Sequence, residues 1–77
     1  MTLEQLIRQT FVLGDEVTIT DDLGPGQVQG WDSLGHVRLL VSLESTYGIS
    51  VDMDEMVELQ TVGDIKNLLR KKEVGEF

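Results

Sequence analysis

The sequence predicts an all-α fold, a single small four-helix bundle over residues 1–77 with a long loop between helices one and two and a short third helix. Three observations support this fold. The hydrophobic residues mostly recur with the helical period, the chain contains one proline, and 40% of its 77 residues are apolar. A chain of this length buries only about 60% of the surface that the unfolded chain exposes. A self-contained enzyme cleft is therefore not expected.

The first helix is predicted from Leu3 to Leu13. Thr2 and Gln5 have the spacing of a capping box at its start, and Gly14 is the expected stop. The apolar residues that share one face are Leu3, Leu6, Ile7 and Phe11.

A long connection follows over residues 15–30, where turn-forming residues replace the helical period. Loops of this length are uncommon in compact domains. Four apolar side chains are available to hold it against the core: Val17, Ile19, Leu23 and Val28. The connection is therefore predicted to be a packed crossover rather than a free linker.

The second helix has the clearest signals. Asp32 is the predicted N-cap, accepting from the backbone N–H of Leu34 or Gly35, with Ser33 at the first helical position and Gly48 as the stop. The predicted core face consists of Leu34, Val37, Leu40, Val41 and Tyr47, widened by Leu39 and Leu43. For Leu34, an exposed position beside the serine is the equal alternative.

Two further helices complete the bundle. A brief third helix is predicted within residues 52–59, with an acidic exposed side, and Thr61 with Asp64 opens the last helix. The last helix ends at the basic residues 70–72, which suit the negative end of a helix dipole. The apolar residues assigned to these helices are Met53, Met56, Val57, Leu59, Ile65, Leu68 and Leu69.

The composition excludes several function classes. The formal net charge of −8 disfavours nucleic acid and anionic membranes and favours partners with basic patches. Cysteine is absent, so disulfides and thiolate chemistry are excluded. No segment approaches the roughly 20 apolar residues of a membrane span, and the N-terminus has no signal-peptide pattern. A cytoplasmic protein is expected.

The triplet Asp32-Ser33-Leu34 is the main candidate for a functional site. It places a serine hydroxyl at the positive end of a helix dipole, where unpaired backbone N–H groups stabilise an anionic ester. Without further information, Ser33 also fits an ordinary first-turn residue. Trp31 precedes the cap, where a hydrophobic residue often packs onto the first turns, and His36 fits a surface or stapling residue.

Several segments together resemble a known family over nearly the whole chain. These segments are Gly30-Trp31-Asp32-Ser33-Leu34, residues 37–44, Tyr47-Gly48-Ile49 and residues 61–65. They are similar to the acyl carrier proteins of fatty acid or polyketide synthesis. The resemblance implies a monomeric, non-catalytic carrier, in which a phosphopantetheinyl transferase attaches 4′-phosphopantetheine from coenzyme A to Ser33. It also implies that the arm holds acyl groups as thioesters for acyl-loading and acyl-processing enzymes, and that Asp32 and Leu34 flank the attachment site.

The resemblance further implies a partner-recognition surface on helices two and three. The residues expected there are Arg38, Glu44, Asp54, Glu55 and Glu58. The chain departs from the fatty-acid pattern at Gly35, His36 and Arg38, where acidic or hydroxyl residues are common, and at Ser45-Thr46, where further acids are usual. These departures favour a stand-alone carrier of a polyketide or related specialised pathway. The clustered acids lack the ligand spacing and central glycine of an EF-hand loop, so no metal site is predicted.

Three alternatives remain. A peptidyl or aminoacyl carrier would share the fold and the arm, although its usual Gly-Gly-His-Ser or Gly-Asp-Ser start is missing. A pure interaction domain would leave Ser33 unmodified. A hydrolase is disfavoured because Trp31 stands where a Gly-Asp-Ser-Leu motif or a nucleophile elbow needs glycine, and no alternating strand and helix pattern is present.

Overall fold

The computed structural model describes residues 1–77 and contains four α-helices and no strand. The helices are α1 (Leu3–Phe11), α2 (Ser33–Tyr47), α3 (Met53–Glu58) and α4 (Val62–Lys71). The predicted all-α bundle, its long connection and its short third helix are therefore confirmed. None of the four helices combines the length and apolar character needed to span a bilayer.

The core is one cluster of buried side chains contributed by α1, α2, α4, the long connection, Trp31 before α2 and Leu59 after α3. Its members are Leu3, Leu6, Ile7, Phe11, Val28, Trp31, Leu39, Leu40, Leu43, Leu59, Val62, Ile65, Leu68 and Leu69. The predicted inner faces of α1 and α4 are all in this set. No residue within α3 is buried, so α3 lies at the edge of the bundle.

Local signals place the helix starts correctly. Thr2 and Gln5 form the reciprocal capping box at the start of α1, and the Thr61 hydroxyl accepts from the Asp64 N–H at 3.1 Å at the start of α4. Gly48 ends α2 in the left-handed conformation, with φ of 65°. These caps satisfy backbone groups that a helix end leaves unpaired.

The end of α1 differs from the prediction. The helix stops at Phe11, and Val12 rather than Gly14 takes the left-handed conformation, with φ of 54°. The turn brings the Leu13 N–H back to the carbonyl of Arg8 at 2.9 Å and packs the half-buried Leu13 against the core. The Arg8 guanidinium then donates to the Gly14 carbonyl at 2.8 Å. Tertiary contacts therefore override the glycine signal.

The long connection is a packed crossover, as predicted. Val28 is buried, and Ile19 and Leu23 are half-buried against the core. Backbone bonds tie the connection to the start of α4, since the Val62 N–H donates to the Leu23 carbonyl at 2.9 Å. Val17 is half-buried but does not join the core cluster.

The core face of α2 was predicted in part incorrectly. Leu40, together with Leu39 and Leu43, is fully buried, and Tyr47 is half-buried against the core. Two of the residues assigned to the core face are instead exposed, Val37 at 42% and Val41 at 57%, and Leu34 takes the exposed position given as its alternative, at 71%. The adjacent face, with Leu39, Leu40 and Leu43, is the one covered by the bundle, whereas the small helix α3 leaves the side with Val37 and Val41 open.

The apolar side of α3 is also mostly open. Met53 and Val57 were assigned inward positions but are 77% and 72% exposed. Met56 is half-buried, and Leu59, directly after the helix, is buried. A six-residue helix presents too few residues to bury more than its C-terminal end.

Candidate functional site

A close approach of two glycines joins the long connection to the first turn of α2. Gly30 adopts a φ of 89°, a conformation that favours glycine. A Cβ at position 35 would lie only 2.0 Å from the Gly30 carbonyl oxygen, so only glycine fits there. The last residues before α2 are therefore held against the helix that they lead into.

Trp31 anchors this junction in the core. Its side chain is 1% exposed and stacks on Phe11 with ring centroids 5.0 Å apart. The indole N–H donates to Nδ1 of His36 at 3.1 Å. Trp31 directly precedes the N-cap and His36 is the fourth helical residue, the positions of a hydrophobic staple. The predicted packing role of Trp31 and stapling role of His36 are thus observed.

Asp32 caps α2, and Ser33 is its first residue. The Asp32 carboxylate accepts from the Gly35 N–H at 2.9 Å, which decides between the two predicted donors. Ser33 is exposed and its hydroxyl has no hydrogen-bond partner within the protein. The N–H groups of Ser33 and Leu34 precede the first intrahelical bond and are also unpaired. The hydroxyl is therefore accessible at an electropositive helix end.

A cleft of about 330 Å³, here called the Ser33 cleft, opens beside this hydroxyl between the long connection, α2 and α3. Its lining consists of Pro25, Asp32, Ser33, His36, Val37, Met56, Val57, Leu59 and Gln60. The walls further from Ser33 include apolar side chains from both helices. The cleft can therefore accept an extended, largely apolar group that begins at Ser33.

An apolar surface on α2 and α3 includes two residues of the cleft lining, Val37 and Val57. It is formed by the exposed side chains Leu34, Val37, Val41, Met53 and Val57. An exposed apolar group of this kind on a small protein indicates an interaction surface.

Among the predicted partner-recognition residues, two acids already have partners inside the protein. Glu44 accepts from the Val51 N–H at 2.9 Å. Glu55 accepts from the Asp52 N–H at 3.0 Å and pairs with Lys72 at 2.9 Å and Lys71 at 3.2 Å. The backbone hydrogen bond from Asp52, followed by the bonds from the two lysines, lowers the pKa of Glu55 to about 2.

The other predicted partner-recognition residues are free to contact a partner. Asp54 and Glu58 are exposed on α3 and form no ion pair. Arg38 is exposed on α2 and makes one long hydrogen bond, 3.5 Å, to the Thr10 carbonyl. Ser33 and these three residues therefore face solvent, whereas Glu44 and Glu55 are engaged within the fold.

The sequence reasoning missed two features of the site. The contact between Gly30 and Gly35 was not predicted. A signal was present, because glycine in a helix is less favourable than alanine, and its use at position 35 indicates that another part of the backbone lies close to it. The link from Glu55 to the end of α4 was also missed, because residues far apart in sequence form it.

Known proteins are similar to this chain in sequence and in fold. The profile of the family described as Phosphopantetheine attachment site matches residues 3–69. The acyl carrier protein of Thermotoga maritima is 38% identical over 58 residues, which span 75% of this chain and 64% of that protein. The probable acyl carrier protein of Caulobacter vibrioides is 30% identical over 82% of this chain and 73% of that protein.

A solved structure agrees with these sequence matches. The solution structure of a holo acyl carrier protein from Geobacter metallireducens superposes with a TM-score of 0.73 at 34% identity. The superposition covers 99% of this chain and 95% of that one. The chain therefore belongs to the phosphopantetheine attachment site family and, within it, to the acyl carrier proteins.

Proposed function

We propose that residues 1–77 form a single carrier domain that holds 4′-phosphopantetheine on Ser33 and moves acyl intermediates between biosynthetic enzymes. When attached, the arm supplies a thiol that carries the acyl group as a thioester. The observation that supports Ser33 most strongly is its exposed, unpartnered hydroxyl at the capped start of α2.

The residues around Ser33 fit the arm. A phosphodiester on Ser33 adds a negative charge next to two unpaired N–H groups, an interaction worth about 0.3–1 kcal/mol at an exposed helix N-terminus. The Ser33 cleft offers space for the extended part of the arm. His36 lines this cleft, and its Nε2 is a buried polar atom without a partner. The site thus presents positive potential and space to a substituent on Ser33, next to a polar group that is covered in the unmodified protein.

We propose that the protein itself is not catalytic and acts as a monomer in the cytoplasm. His36 is the histidine nearest to Ser33, but its Nδ1 lone pair already accepts from Trp31. In the neutral ring the other nitrogen carries the proton. His36 therefore has no free acceptor with which to activate the Ser33 hydroxyl as a nucleophile.

The proposed partners are a phosphopantetheinyl transferase, which uses coenzyme A, and the acyl-loading and acyl-processing enzymes of the pathway. Asp32 and Leu34 are exposed on either side of Ser33 and are the proposed contacts for the transferase. For the pathway enzymes we retain Arg38 together with the acids Glu44, Asp54, Glu55 and Glu58. We assign the larger share to Asp54 and Glu58, because the other two carboxylates have internal partners.

The attachment is tested by incubating the protein with coenzyme A and a broad-specificity phosphopantetheinyl transferase and measuring the intact mass. The wild type is expected to gain one arm, and Ser33→Ala none. Ser45→Ala is the matched control, because Ser45 is an exposed serine on the same helix. A wild type that stays unmodified with several transferases supports a pure interaction domain instead.

The pathway is a separate proposal. We propose a stand-alone carrier of a polyketide or related specialised pathway, supported by Gly35, His36 and Arg38 at positions where fatty-acid carriers commonly have acidic or hydroxyl residues. The arm-bearing protein is offered to acyl-activating and aminoacyl-activating ligases. Acyl loading is expected; exclusive aminoacyl loading identifies a peptidyl carrier of a nonribosomal pathway.

A further inference from the structure

His36 has one ring nitrogen in use and one without a partner. Its Nδ1 accepts from the Trp31 indole N–H at 3.1 Å, so the neutral ring carries its proton on Nε2. Nε2 is buried and forms no hydrogen bond. Native proteins rarely leave a buried donor unpaired, and such a group calls for an explanation.

The residue that holds this unpaired donor lines the Ser33 cleft, and the donor itself is covered. His36 lines this cleft together with Ser33, and the two residues are three positions apart, so they lie on the same face of α2. The other polar residues there are Asp32, an acceptor already used by the Gly35 N–H, and Gln60, which is exposed and lies beyond α3 rather than on α2. A group that leaves Ser33 through the cleft therefore passes His36 within its first few bonds.

We propose that His36 is a positioning residue for the arm, whose Nε2–H donates to an oxygen of the substituent on Ser33. This inference rests on the proposed attachment of phosphopantetheine to Ser33. The acceptor is a phosphodiester oxygen or the first amide carbonyl of the arm. Trp31 keeps the ring in the donor tautomer, and its burial at 1% exposure keeps the ring in place.

The structure also indicates how the arm reaches a donor that is covered in the unmodified protein. The wall opposite α2 is formed by Met56, Val57 and the residues that follow α3. Within this wall Leu59 is buried in the core, whereas no residue of α3 is buried, so α3 is the part that can separate, against its Glu55 ion pairs to Lys71 and Lys72. Entry of the arm moves α3 outward, and the Nε2–H of His36, which is unpaired in the unmodified protein, then has a hydrogen-bond acceptor.

The test uses nitrogen-15 NMR of the unmodified and arm-bearing protein. The chain has a single histidine, so its ring signals are unambiguous. We expect the Nε2 proton to shift and to exchange with solvent more slowly by about tenfold after attachment, the protection given by one hydrogen bond of ordinary strength. The Nδ1 signal keeps its position. Unchanged Nε2 signals in a protein that has gained the arm by mass overturn the proposal, whereas absence of the mass gain refutes the attachment itself.

A variant identifies the acceptor. His36→Phe keeps an aromatic ring beside Trp31 but removes the donor, and Ser45→Ala is the control at an exposed position of α2 that has no role in the site. The arm signals of the His36→Phe protein are compared with those of the arm-bearing wild type. A changed phosphorus-31 chemical shift identifies a phosphodiester oxygen as the acceptor, and a changed carbon-13 shift of the first amide carbonyl identifies that carbonyl as the acceptor. Arm signals identical to the wild type contradict the proposal. If His36→Phe does not fold, the comparison of wild-type forms still decides it.

Discussion

Replacing Gly35 by alanine tests how the serine is presented. The new Cβ would lie 2.0 Å from the Gly30 carbonyl oxygen and 3.0 Å from Cε1 of Phe11. Both distances are well inside the roughly 3.5 Å at which non-bonded heavy atoms meet. The nearer atom belongs to the backbone, so a rotamer change cannot relieve the overlap. The end of the long connection must move away from α2.

The expected cost follows from two opposing effects. Overpacking of this severity costs up to about 3 kcal/mol, and alanine recovers about 1 kcal/mol relative to glycine within a helix. We expect a net loss of about 2 kcal/mol of unfolding free energy. With a urea dependence of about 1 kcal/mol per molar for a small domain, the midpoint falls by about 2 M. Modification of Ser33 should also slow, because Asp32 and Trp31 move with Gly30.

The assay is urea unfolding followed by the fluorescence of Trp31, the only tryptophan. Gly75→Ala is the control, since a Cβ there meets nothing within 4 Å and should change the stability by less than about 0.5 kcal/mol. A Gly35→Ala protein with the wild-type midpoint and modification rate would refute the role assigned to the glycine contact.

Three further predictions concern the helices around the site. In the same urea assay, Leu40→Ala should lower the unfolding free energy by about 2–5 kcal/mol, because Leu40 is buried. Leu34→Ala should lower it by less than about 0.5 kcal/mol, because Leu34 is exposed. Equal losses contradict this assignment of the buried face of α2. Val12→Gly should raise the thermal midpoint, because Val12 is 88% exposed and glycine adopts its φ of 54° without strain; a lower midpoint contradicts this. In the folded protein the pKa of Glu55 is lowered from 4.5 to about 2. The ionised Glu55 therefore stabilises α3 fully at pH values above 4.5, the value in the unfolded chain, and this stabilisation is lost as the pH falls towards 2. The NMR signals of the α3 backbone amides should report this loss. Glu55→Gln should weaken α3 already at neutral pH, whereas Glu58→Gln, which removes no ion pair, should not. Identical behaviour of the two variants contradicts the assigned ion pairs.

The parts of the fold that the sequence predicts are those decided within a few residues. The caps at Thr2, Asp32 and Thr61 each bond to a backbone group three positions ahead, so their spacing alone identifies them. Gly48 ends α2 for an equally local reason. The position of Ser33 at the exposed start of α2 follows from the same local chemistry, which is why the candidate site was found.

The parts that the sequence does not predict depend on distant contacts. Helix α2 is apolar on two adjacent faces, and only the packing of the bundle decides that Leu39 is buried and Val37 exposed. Val12 takes the left-handed conformation that ends α1, and only the folded bundle shows that Leu13, the next residue, packs against the core. The pairing of Glu55 with Lys71 and Lys72 joins two helices. No pattern within a single segment shows these contacts.

Fragment-ion mapping of the protein after reaction with coenzyme A and a phosphopantetheinyl transferase tests the central claim most directly. The chain contains serines at positions 33, 42, 45 and 50, and cleavage between them separates the candidates. The account predicts that the whole mass gain lies on the fragment with Ser33. A gain on any other serine, or a folded wild type that gains no mass, contradicts it.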